Sequence, residues 1–456
     1  MSAGNPYAAD LMRSVFGFSK ITRHIDTEAR HRLVSSWTLL GASLARAALA
    51  TPHTWRLPAI VQDDASLNSI YVNAGASGSG KGANKAEIFT WPDTSVFELG
   101  DGEQRLADVF VPITVASGEG IAALFTENRS VPGIDGKGKI TIPVRIRQAA
   151  WIDFDEVDQL AAIGSRQGAT LTAELRKGWS SAAIGTYTKV KVNQVTVPAH
   201  SYRLVTTVAA QPLRCAPLLA EEAGGTLQRM LWLSADTPDL EDPGEDPDSK
   251  PLGVVLPDFG RGIASPGDTG PVHYFDVAPE VRAEIRADRI AGRWKGTEDA
   301  HRNLVKLKAA AACAVLHGST QVTPETWTWA ESLMTHSTRV RASVRAELAN
   351  AESEAAGRRV LGQARAAITA ASLRENAIEN IAKAVERGMR KPKNRDKTFT
   401  EDGIRKSFVA NASRSLVPEV IDLLIRRRVI SEAGTSRVGT PTYALSTGEP
   451  GTGETV

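Results

Sequence analysis

The stretch that decides the fold is residues 66–90, which contain SLNSIYVNAGASGSGKGANKAEIFT. Its apolar run at 70–72 predicts a buried strand, a glycine-rich turn follows at 75–82, and the stretch 83–89 predicts a helix. A strand, a glycine loop and a helix in this order are typical of a phosphate-binding loop, because the loop N–H groups and the helix N-terminus together attract an anion. We therefore expect a phosphate site at the end of the first strand.

The glycine-rich turn has the spacing GxxxxGK. The residues predicted to hold the nucleotide are Gly75, Gly78, Ser79, Gly80, Lys81 and Gly82. Glycines let backbone N–H groups point inward, and the lysine reaches the β- and γ-phosphates. Gly82 departs from the pattern, since Ser or Thr normally contacts Mg²⁺ there. A flexible loop with a chance lysine is the alternative, but the flanking strand and helix favour the phosphate site.

Length and composition set the class of protein. The 456 residues leave room for two or three domains, and a hydrophobic content of 42% suffices for ordinary cores. The net charge of +2 decides neither for nor against nucleic acid. Cys215 and Cys313 are far apart, which argues against a disulfide framework and favours a reducing compartment. With no signal-peptide pattern and no run of about 18 apolar residues, we expect a cytoplasmic protein without a membrane partner.

Acidic residues follow two predicted strands. An apolar run leads into Asp155 and Glu156, and carboxylates at the end of a buried strand suit Mg²⁺ coordination and water activation. A nonspecific acidic turn is the alternative. A strand predicted over 108–120 ends in Ser-Gly-Glu-Gly, so Glu119 lies where α/β sheets bind ligands.

Two more polar residues flank predicted strands. The strand over 201–212 ends in Gln211, an amide that could sense a γ-phosphate or simply occupy a turn. Arg229 lies in a Gly-Gly turn that precedes the next strand. Such an arginine could be donated to a neighbour's site, although its spacing alone favours an ordinary ion-paired residue.

Composition divides the chain into segments. Residues 236–250 hold seven acidic residues and three prolines, which predicts a solvated connection. Residues 1–26 are expected to be weakly structured, and a helix is expected from Thr27 to about Ala50. We expect an N-terminal helical segment (1–50), a P-loop core (51–245), a linker (246–277), a helical domain (278–372), a winged-helix domain (373–447) and a disordered tail (448–456).

The last large segment changes character. A helix over 374–389, two further helices and a two-stranded hairpin are typical of a winged helix-turn-helix. The arginines expected to contact DNA phosphates are Arg426, Arg427, Arg428 and Arg437. Winged helices also dock proteins, and a basic stripe is often a solvated face, but these features together favour DNA contact.

Taken in order, the segments of residues 22–345 resemble a family of P-loop ATPases. The matching segments are TEARHRLVSSWTLLGASLARAAL, LPAIV, SLNSIYVNAGASGSGKG, DFDEVDQL, LVTTVAAQP and GGTLQRMLWL. This family is encoded by actinobacterial chromosomes, integrative elements and phages, and is related to helicase-like replication proteins of plasmids and phages. The resemblance implies an α/β P-loop NTPase core of RecA-like or AAA+ type, then an all-α helical region and a C-terminal winged helix.

The resemblance also implies roles for residues. It implies Lys81 as the phosphate-binding lysine, Asp155 and Glu156 as the Walker B acids, Gln211 as a sensor, Arg229 as a finger across a subunit interface, and Glu119 as the alternative base of a strictly RecA-like core. ATP and Mg²⁺ are the implied cofactors. Because Gly82 lacks a hydroxyl, Mg²⁺ ligation would fall to Asp155, water or Asn84. The implied assembly is a homo-oligomer, with a hexameric ring among its possible forms.

These expectations converge on an ATP-dependent motor or initiator that acts on single-stranded or origin duplex DNA in replication of a mobile element. Two alternatives stay open. One is a nucleotide-gated DNA-binding regulator with little turnover, which Gly82 favours slightly. The other is an ATPase subunit of a defence or partner-remodelling system, in which the winged helix docks protein.

Overall fold

The chain is described by a computed structural model. The described residues are 6–92, 95–99, 102–132, 138–158, 160, 171–186, 195–220, 225–237, 250–259, 271–296 and 299–446. They belong to two compact units, of which the first extends to Ala351 and the second begins at Glu352. Among the described helices, none is long and apolar enough to cross a membrane.

The helices and strands are numbered in chain order. The helices are α1 (Pro6–Phe16), α2 (Lys20–His31), α3 (Ser36–Ala50), α4 (Leu106–Val109), α5 (Gly118–Ala123), α6 (Leu171–Trp179), α7 (Ala216–Ala220), α8 (Pro279–Ile290), α9 (Arg302–Leu316), α10 (Pro324–Met389), α11 (Glu401–Phe408) and α12 (Val417–Arg426). The strands are β1 (Trp55–Arg56), β2 (Ser69–Ala74), β3 (Phe89–Thr90), β4 (Ser95–Leu99), β5 (Gly102–Arg105), β6 (Thr126–Pro132), β7 (Lys139–Arg145), β8 (Ala149–Phe154), β9 (Ile184–Thr186), β10 (Val195–Val197), β11 (Arg203–Ala210), β12 (Met230–Ser234), β13 (Leu252–Gly253), β14 (His273–Tyr274), β15 (Asp276–Val277), β16 (Gln321–Val322), β17 (Phe399–Thr400), β18 (Ile430–Thr435) and β19 (Pro441–Leu445). Short 3₁₀ helices lie at Lys81–Lys85, Pro212–Arg214, Leu227–Arg229 and Asn411–Leu416.

A four-stranded parallel sheet forms the centre of the first unit, in the order β12-β2-β11-β8. Every residue of β8 and β11 is buried, as expected for apolar strands of a parallel sheet covered on both faces. The chain forms β8 before β11, yet β11 lies between β2 and β8. The segments that follow β2, β11 and β8 therefore lie side by side at one end of the sheet.

Helix α3 covers one face of this sheet and is buried along its whole length. A helix that is apolar on all sides needs neighbours all round, and α3 contacts α2, α9, β2, β11 and β12. Gly41 permits its close approach to β12, because a Cβ there would lie 2.4 Å from the Leu233 Cδ1 atom.

The outer edge of β12 is covered by the first part of α10. The Trp232 N–H donates to Ser337 Oγ (2.8 Å), and the Ser234 N–H donates to His336 Nε2 (3.2 Å). Burial lowers the pKa of His336 to about 3, so its ring stays neutral and Nε2 accepts. These bonds protect an edge strand from pairing with another chain.

The helices over 278–372 are predicted as a separate domain. Up to Ala351, where the first unit ends, they belong to the core of that unit. Val281 of α8, Val305 of α9 and Trp327 of α10 belong to the same buried cluster as the sheet residues. Their apolar faces therefore complete the core around α3.

The second unit contains the remainder of α10, α11, α12 and an antiparallel sheet in the order β17-β19-β18. The predicted helices and hairpin of this segment are present. Its own core includes Val385, Ile404, Val420 and Leu424.

The helix predicted over 83–89 is wrong. The 3₁₀ helix Lys81–Lys85 ends there, and Ala86 is already extended. β3 then pairs in parallel with β13, and the adjacent residues Ile88 and Phe89 are both buried. Pairing with a distant segment overrides the local helical tendency.

The strand predicted over 108–120 is also wrong. This stretch holds the end of α4, a single parallel bridge between Ile113 and Ile152, and the start of α5. Ser117 accepts a hydrogen bond from the Gly120 N–H (3.2 Å), so an N-cap begins a helix where the pattern indicated a strand end.

The N-terminal prediction needs correction as well. α1 and the first part of α2, which continues to His31, lie in the region 1–26 for which weak structure is expected. The helix expected from Thr27 to Ala50 is divided, because Leu33 adopts a left-handed conformation (φ 52°) between α2 and α3.

Candidate functional site at the carboxyl ends of the strands

A cleft of about 430 Å³ opens beyond the carboxyl ends of β2, β8 and β11. Of the residues predicted from sequence, those that line it are Gly78, Gly80, Lys81, Gly82, Asp155, Glu156 and Gln211. Parallel strands place the segments that follow them at a common end, which is where ligands bind in α/β sheets. The structure thus brings the glycine loop, the acidic pair and the amide into one cleft.

Two glycines of the loop have left-handed backbone conformations. Gly78 and Gly80 have φ values of 82° and 79°, which residues other than glycine rarely adopt. Gly80 is left-handed and the 3₁₀ helix begins at Lys81. Successive N–H groups in left-handed and right-handed residues can form a concavity that suits an anion.

Lys81 is held by its own loop. Its Nζ donates to the Gly75 carbonyl (3.1 Å) and to the Ala76 carbonyl. Burial lowers the pKa of Lys81, and the nearby carboxylates of Asp236 and Glu156 act in the opposite direction. The ammonium therefore lies at the cleft, within reach of a ligand and fixed by two carbonyls.

Two further polar side chains lie in or beside the loop. Ser79 is one of the predicted residues, whereas Asp236 is not. Asp236, at the carboxyl end of β12, accepts a hydrogen bond from the Ala76 N–H (2.9 Å) and fixes the start of the loop. The Ser79 hydroxyl oxygen is buried and has no hydrogen-bond partner within the described part of the chain. Ser79, like Gly75, belongs to the predicted loop but is not among the residues that line the cleft.

The acidic residues after β8 form a cluster with one lysine. Asp153 is buried, and its carboxylate accepts a hydrogen bond from the Thr207 hydroxyl of β11. Lys85 Nζ lies 3.3 Å from Asp153 Oδ2 and 2.8 Å from Asp155 Oδ1. Glu156 lines the cleft and has an exposed side chain.

Arg214 is a cleft residue that the sequence pattern did not reveal. Gln211 ends β11 and precedes the 3₁₀ helix Pro212–Arg214, which returns Arg214 to the same cleft. The guanidinium forms an ion pair with Asp158, and both side chains are partly exposed. The spacing of three residues after a strand-end amide is the one signal that could have indicated it.

Two of the predicted catalytic residues lie elsewhere. Glu119 is exposed in the first turn of α5 and does not line the cleft. Arg229 precedes β12, so it lies at the amino ends of the strands, where its guanidinium bonds the Gly225 carbonyl and lies 5.4 Å from the Trp179 ring centroid. Burial lowers the pKa of Arg229, and Arg176 adds to this effect. A role for Arg229 across a subunit interface stays a prediction.

Whether the residues fit Mg²⁺ can be judged from their donors. The described residues hold no group of three or more His, Cys, Asp or Glu that could bind a metal ion. Mg²⁺ commonly takes only one or two carboxylates and completes its shell with water and phosphate, so Asp155 and Asp153 fit it. A Cβ on Gly82 would meet nothing within 4 Å, so crowding does not exclude a hydroxyl side chain at this position. Asn84 has no described side chain.

The arginines predicted to contact DNA are all exposed in the second unit. Arg426, Arg427 and Arg428 lie at the end of α12, and Arg437 lies in the turn between β18 and β19. Arg427 is engaged with Glu379, with 2.9 Å between guanidinium and carboxylate.

No family model and no curated protein matches this sequence. Among solved structures, the chain is similar to one named "putative ATPase" from Cytophaga hutchinsonii ATCC 33406, with 12% sequence identity, a TM-score of 0.30, and coverage of 71% of this chain and 88% of that one. A likeness this distant carries no conclusion about function.

Proposed function

We propose that this protein is an ATP-dependent motor or initiator that acts on DNA. It would bind and hydrolyse ATP in the cleft at the carboxyl ends of the strands. The observation that carries the proposal is the meeting of the Lys81 loop, the acidic pair and Gln211 in one cleft of about 430 Å³. Lysine and loop N–H groups suit phosphate, and carboxylates suit a metal and a water, which are the parts that phosphoryl transfer requires.

Each cleft residue has a task in this proposal. The loop N–H groups and Lys81 hold the β- and γ-phosphates, and Asp155 is the ligand for Mg²⁺. When bound, Mg²⁺ neutralises the charge that develops on the phosphate oxygens. Glu156 orients the attacking water, Gln211 contacts the γ-phosphate, and Arg214 supplies a further positive charge beside it.

The second unit is the proposed DNA-contacting part. Its order of helix, strand, two helices and hairpin supports a winged helix, and Arg426, Arg428 and Arg437 are exposed in this unit. These side chains would meet phosphates and so contribute affinity more than sequence choice. A ring of subunits with Arg229 acting in trans is part of the same proposal.

A nucleotide-gated regulator with slow turnover is the second candidate. Gly82 offers no hydroxyl to the metal, and Lys85 already pairs with both Asp153 and Asp155. Both features weaken metal binding. Hydrolysis of the nucleotide requires the metal ion more strongly than binding of the nucleotide requires it.

A matched pair of carboxyl-to-amide variants tests the proposal. ATP turnover of the full chain is measured with and without single-stranded DNA, for the parent, Glu156→Gln and Glu119→Gln. We expect DNA-stimulated turnover in the parent and in Glu119→Gln, and bound ATP with little turnover in Glu156→Gln. Equal rates in all three proteins would remove Glu156 as the base. ATP binding with negligible turnover in the parent would favour the regulator.

A further inference from the structure

We infer that the Lys85 ammonium holds Asp153 and Asp155 together and competes with Mg²⁺ for their carboxylates. As a result, the metal ion binds firmly only together with nucleotide. This inference rests on the proposed function of the same cleft. It concerns a lysine that is not part of the GxxxxGK pattern.

The geometry places one ammonium between two carboxylates. Lys85 Nζ lies 2.8 Å from Asp155 Oδ1 and 3.3 Å from Asp153 Oδ2. Asp153 lies in β8 and Asp155 directly follows its last residue, and both carboxylates reach the same ammonium at this end of the sheet. Two like charges so placed repel each other, and the lysine relieves that repulsion.

The ammonium and a metal ion would need the same oxygen atoms. Mg²⁺ binds carboxylate oxygens at about 2.0–2.1 Å. An ammonium that stayed against the same oxygens would lie close to the metal ion and repel it. Asp155 carries the oxygen closest to Lys85. The two cations are therefore alternatives at this position.

Lys85 can leave when a stronger cation arrives. Its side chain is 50% exposed, whereas that of Asp153 is 6% exposed. Lys85 is also the last residue of its 3₁₀ helix, and the chain is extended from Ala86 onward. Displacement moves a flexible side chain into water and leaves the buried carboxylate in place.

Gly82 explains why nucleotide is needed for the exchange. Without the usual hydroxyl ligand, a metal ion alone has few protein oxygens with which to displace the lysine. The phosphate oxygens of a bound nucleotide would supply the missing ligands. Metal and nucleotide then strengthen each other's binding, and the coupling must be reciprocal.

Direct binding of Mn²⁺ to the nucleotide-free full chain tests this inference. Electron paramagnetic resonance measures free Mn²⁺ for the parent, Lys85→Met and the control Lys177→Met. Lys177 is a fair match, because it is 47% exposed and pairs with Glu174 at 2.6 Å, on α6 and not among the cleft residues. We expect Lys85→Met to bind Mn²⁺ about tenfold tighter or more, and Lys177→Met to bind as the parent does.

A second substitution shows where the metal binds. Adding Asp155→Asn to Lys85→Met should return Mn²⁺ affinity to the parental level. Lys85→Gln, which is neutral and polar, should reproduce the gain if the methionine variant does not fold. Parental Mn²⁺ affinity in folded Lys85→Met or Lys85→Gln would overturn the inference.

These outcomes are separable from the fate of the proposed function, because the assay contains no nucleotide. ATP binding by the parent without a gain in Mn²⁺ affinity would keep the ATPase proposal and overturn the role of Lys85. A gain in Mn²⁺ affinity in a protein that binds no ATP would support the competition and overturn the ATPase proposal.

Discussion

Cationic side chains lie at both ends of the central sheet, but their surroundings differ. At the carboxyl ends, Lys81 and Arg214 line a cleft of about 430 Å³, and Lys85 pairs with two of the carboxylates that line it. Lys85 and Arg214 are paired with carboxylates that are themselves accessible, Asp155 and Asp158. Such pairs can exchange one partner for a ligand.

At the amino ends, the cations are buried and bound to the main chain. Arg203 donates to the carbonyls of Thr51 (3.0 Å), Pro52 (2.6 Å) and Trp55 (2.9 Å). Lys308 donates to two buried carbonyls and lies 3.6 Å from the Trp179 ring centroid, beside a void of about 10 Å³. Burial lowers the pKa of Arg203 to about 9 and that of Lys308 well below its usual value.

The difference teaches how to separate structural from functional cations. A cation whose donors are taken by buried carbonyls fixes chain segments to each other and has no room for a ligand. A cation beside exposed carboxylates and open volume can bind an anion at little structural cost. Substitutions at the two ends should therefore affect different quantities.

The largest expected effect is on stability at the amino ends. Arg203→Met removes the donors of three carbonyls that join the end of α3 to β11, and should lower the free energy of unfolding by about 3 kcal/mol. Arg214→Met breaks a partly exposed ion pair and should cost less than about 1 kcal/mol. Urea unfolding of both variants measures the contrast. Equal losses would show that the two ends do not differ in this way.

The next effect is on nucleotide binding. Arg214→Met should weaken ATP binding about tenfold, because it removes a charge beside the phosphates. Arg229→Met should leave ATP affinity nearly unchanged, since Arg229 lies at the other end of its own sheet, and an arginine acting in trans would stabilise transition-state charge rather than bound ATP. Titration calorimetry compares them. A larger loss in Arg229→Met would mean that the nucleotide contacts the amino ends, or that a neighbouring subunit supplies Arg229.

The smallest effect concerns acid sensitivity of the amino ends. Burial, with Arg203, Arg145 and Arg56 nearby, lowers the pKa of His53 from 6.5 to about 3. The unfolded chain binds this proton as pH falls through 6.5 and the folded chain does not, so stability is complete above that pH and is lost toward pH 3. His53 should cost about 0.7 kcal/mol between pH 7 and pH 6. The free energy of unfolding of His53→Gln should not show this decrease between pH 7 and pH 6. An unchanged decrease would contradict the lowered pKa of His53 as its cause.

Much of the cleft could be predicted because its parts follow strands. Apolar runs located β2, β8 and β11, and polar residues after parallel strands must meet at one end of the sheet. By the same rule, Arg229 precedes its strand and belongs at the opposite end, a consequence that the sequence already contained. Asp236 also follows a strand, but the acidic composition of 236–250 concealed it.

The remaining features depend on contacts between distant segments. The extended chain at β3 exists because β13 pairs with it, which no local pattern of 83–89 indicates. Lys85 meets Asp153 and Asp155 only when the 3₁₀ helix lies beside the end of β8. Positions set by tertiary packing cannot be obtained from periodicity.

Equilibrium ATP binding by the full chain tests the central claim most directly. Calorimetry with the parent, Lys81→Ala and the control Lys177→Ala compares a cleft lysine with a lysine on α6. We predict that the parent and Lys177→Ala bind ATP, and that Lys81→Ala loses about a hundredfold in affinity or more while its melting temperature stays close to the parental value. Parental ATP affinity in a folded Lys81→Ala protein would contradict the phosphate-binding role of the loop.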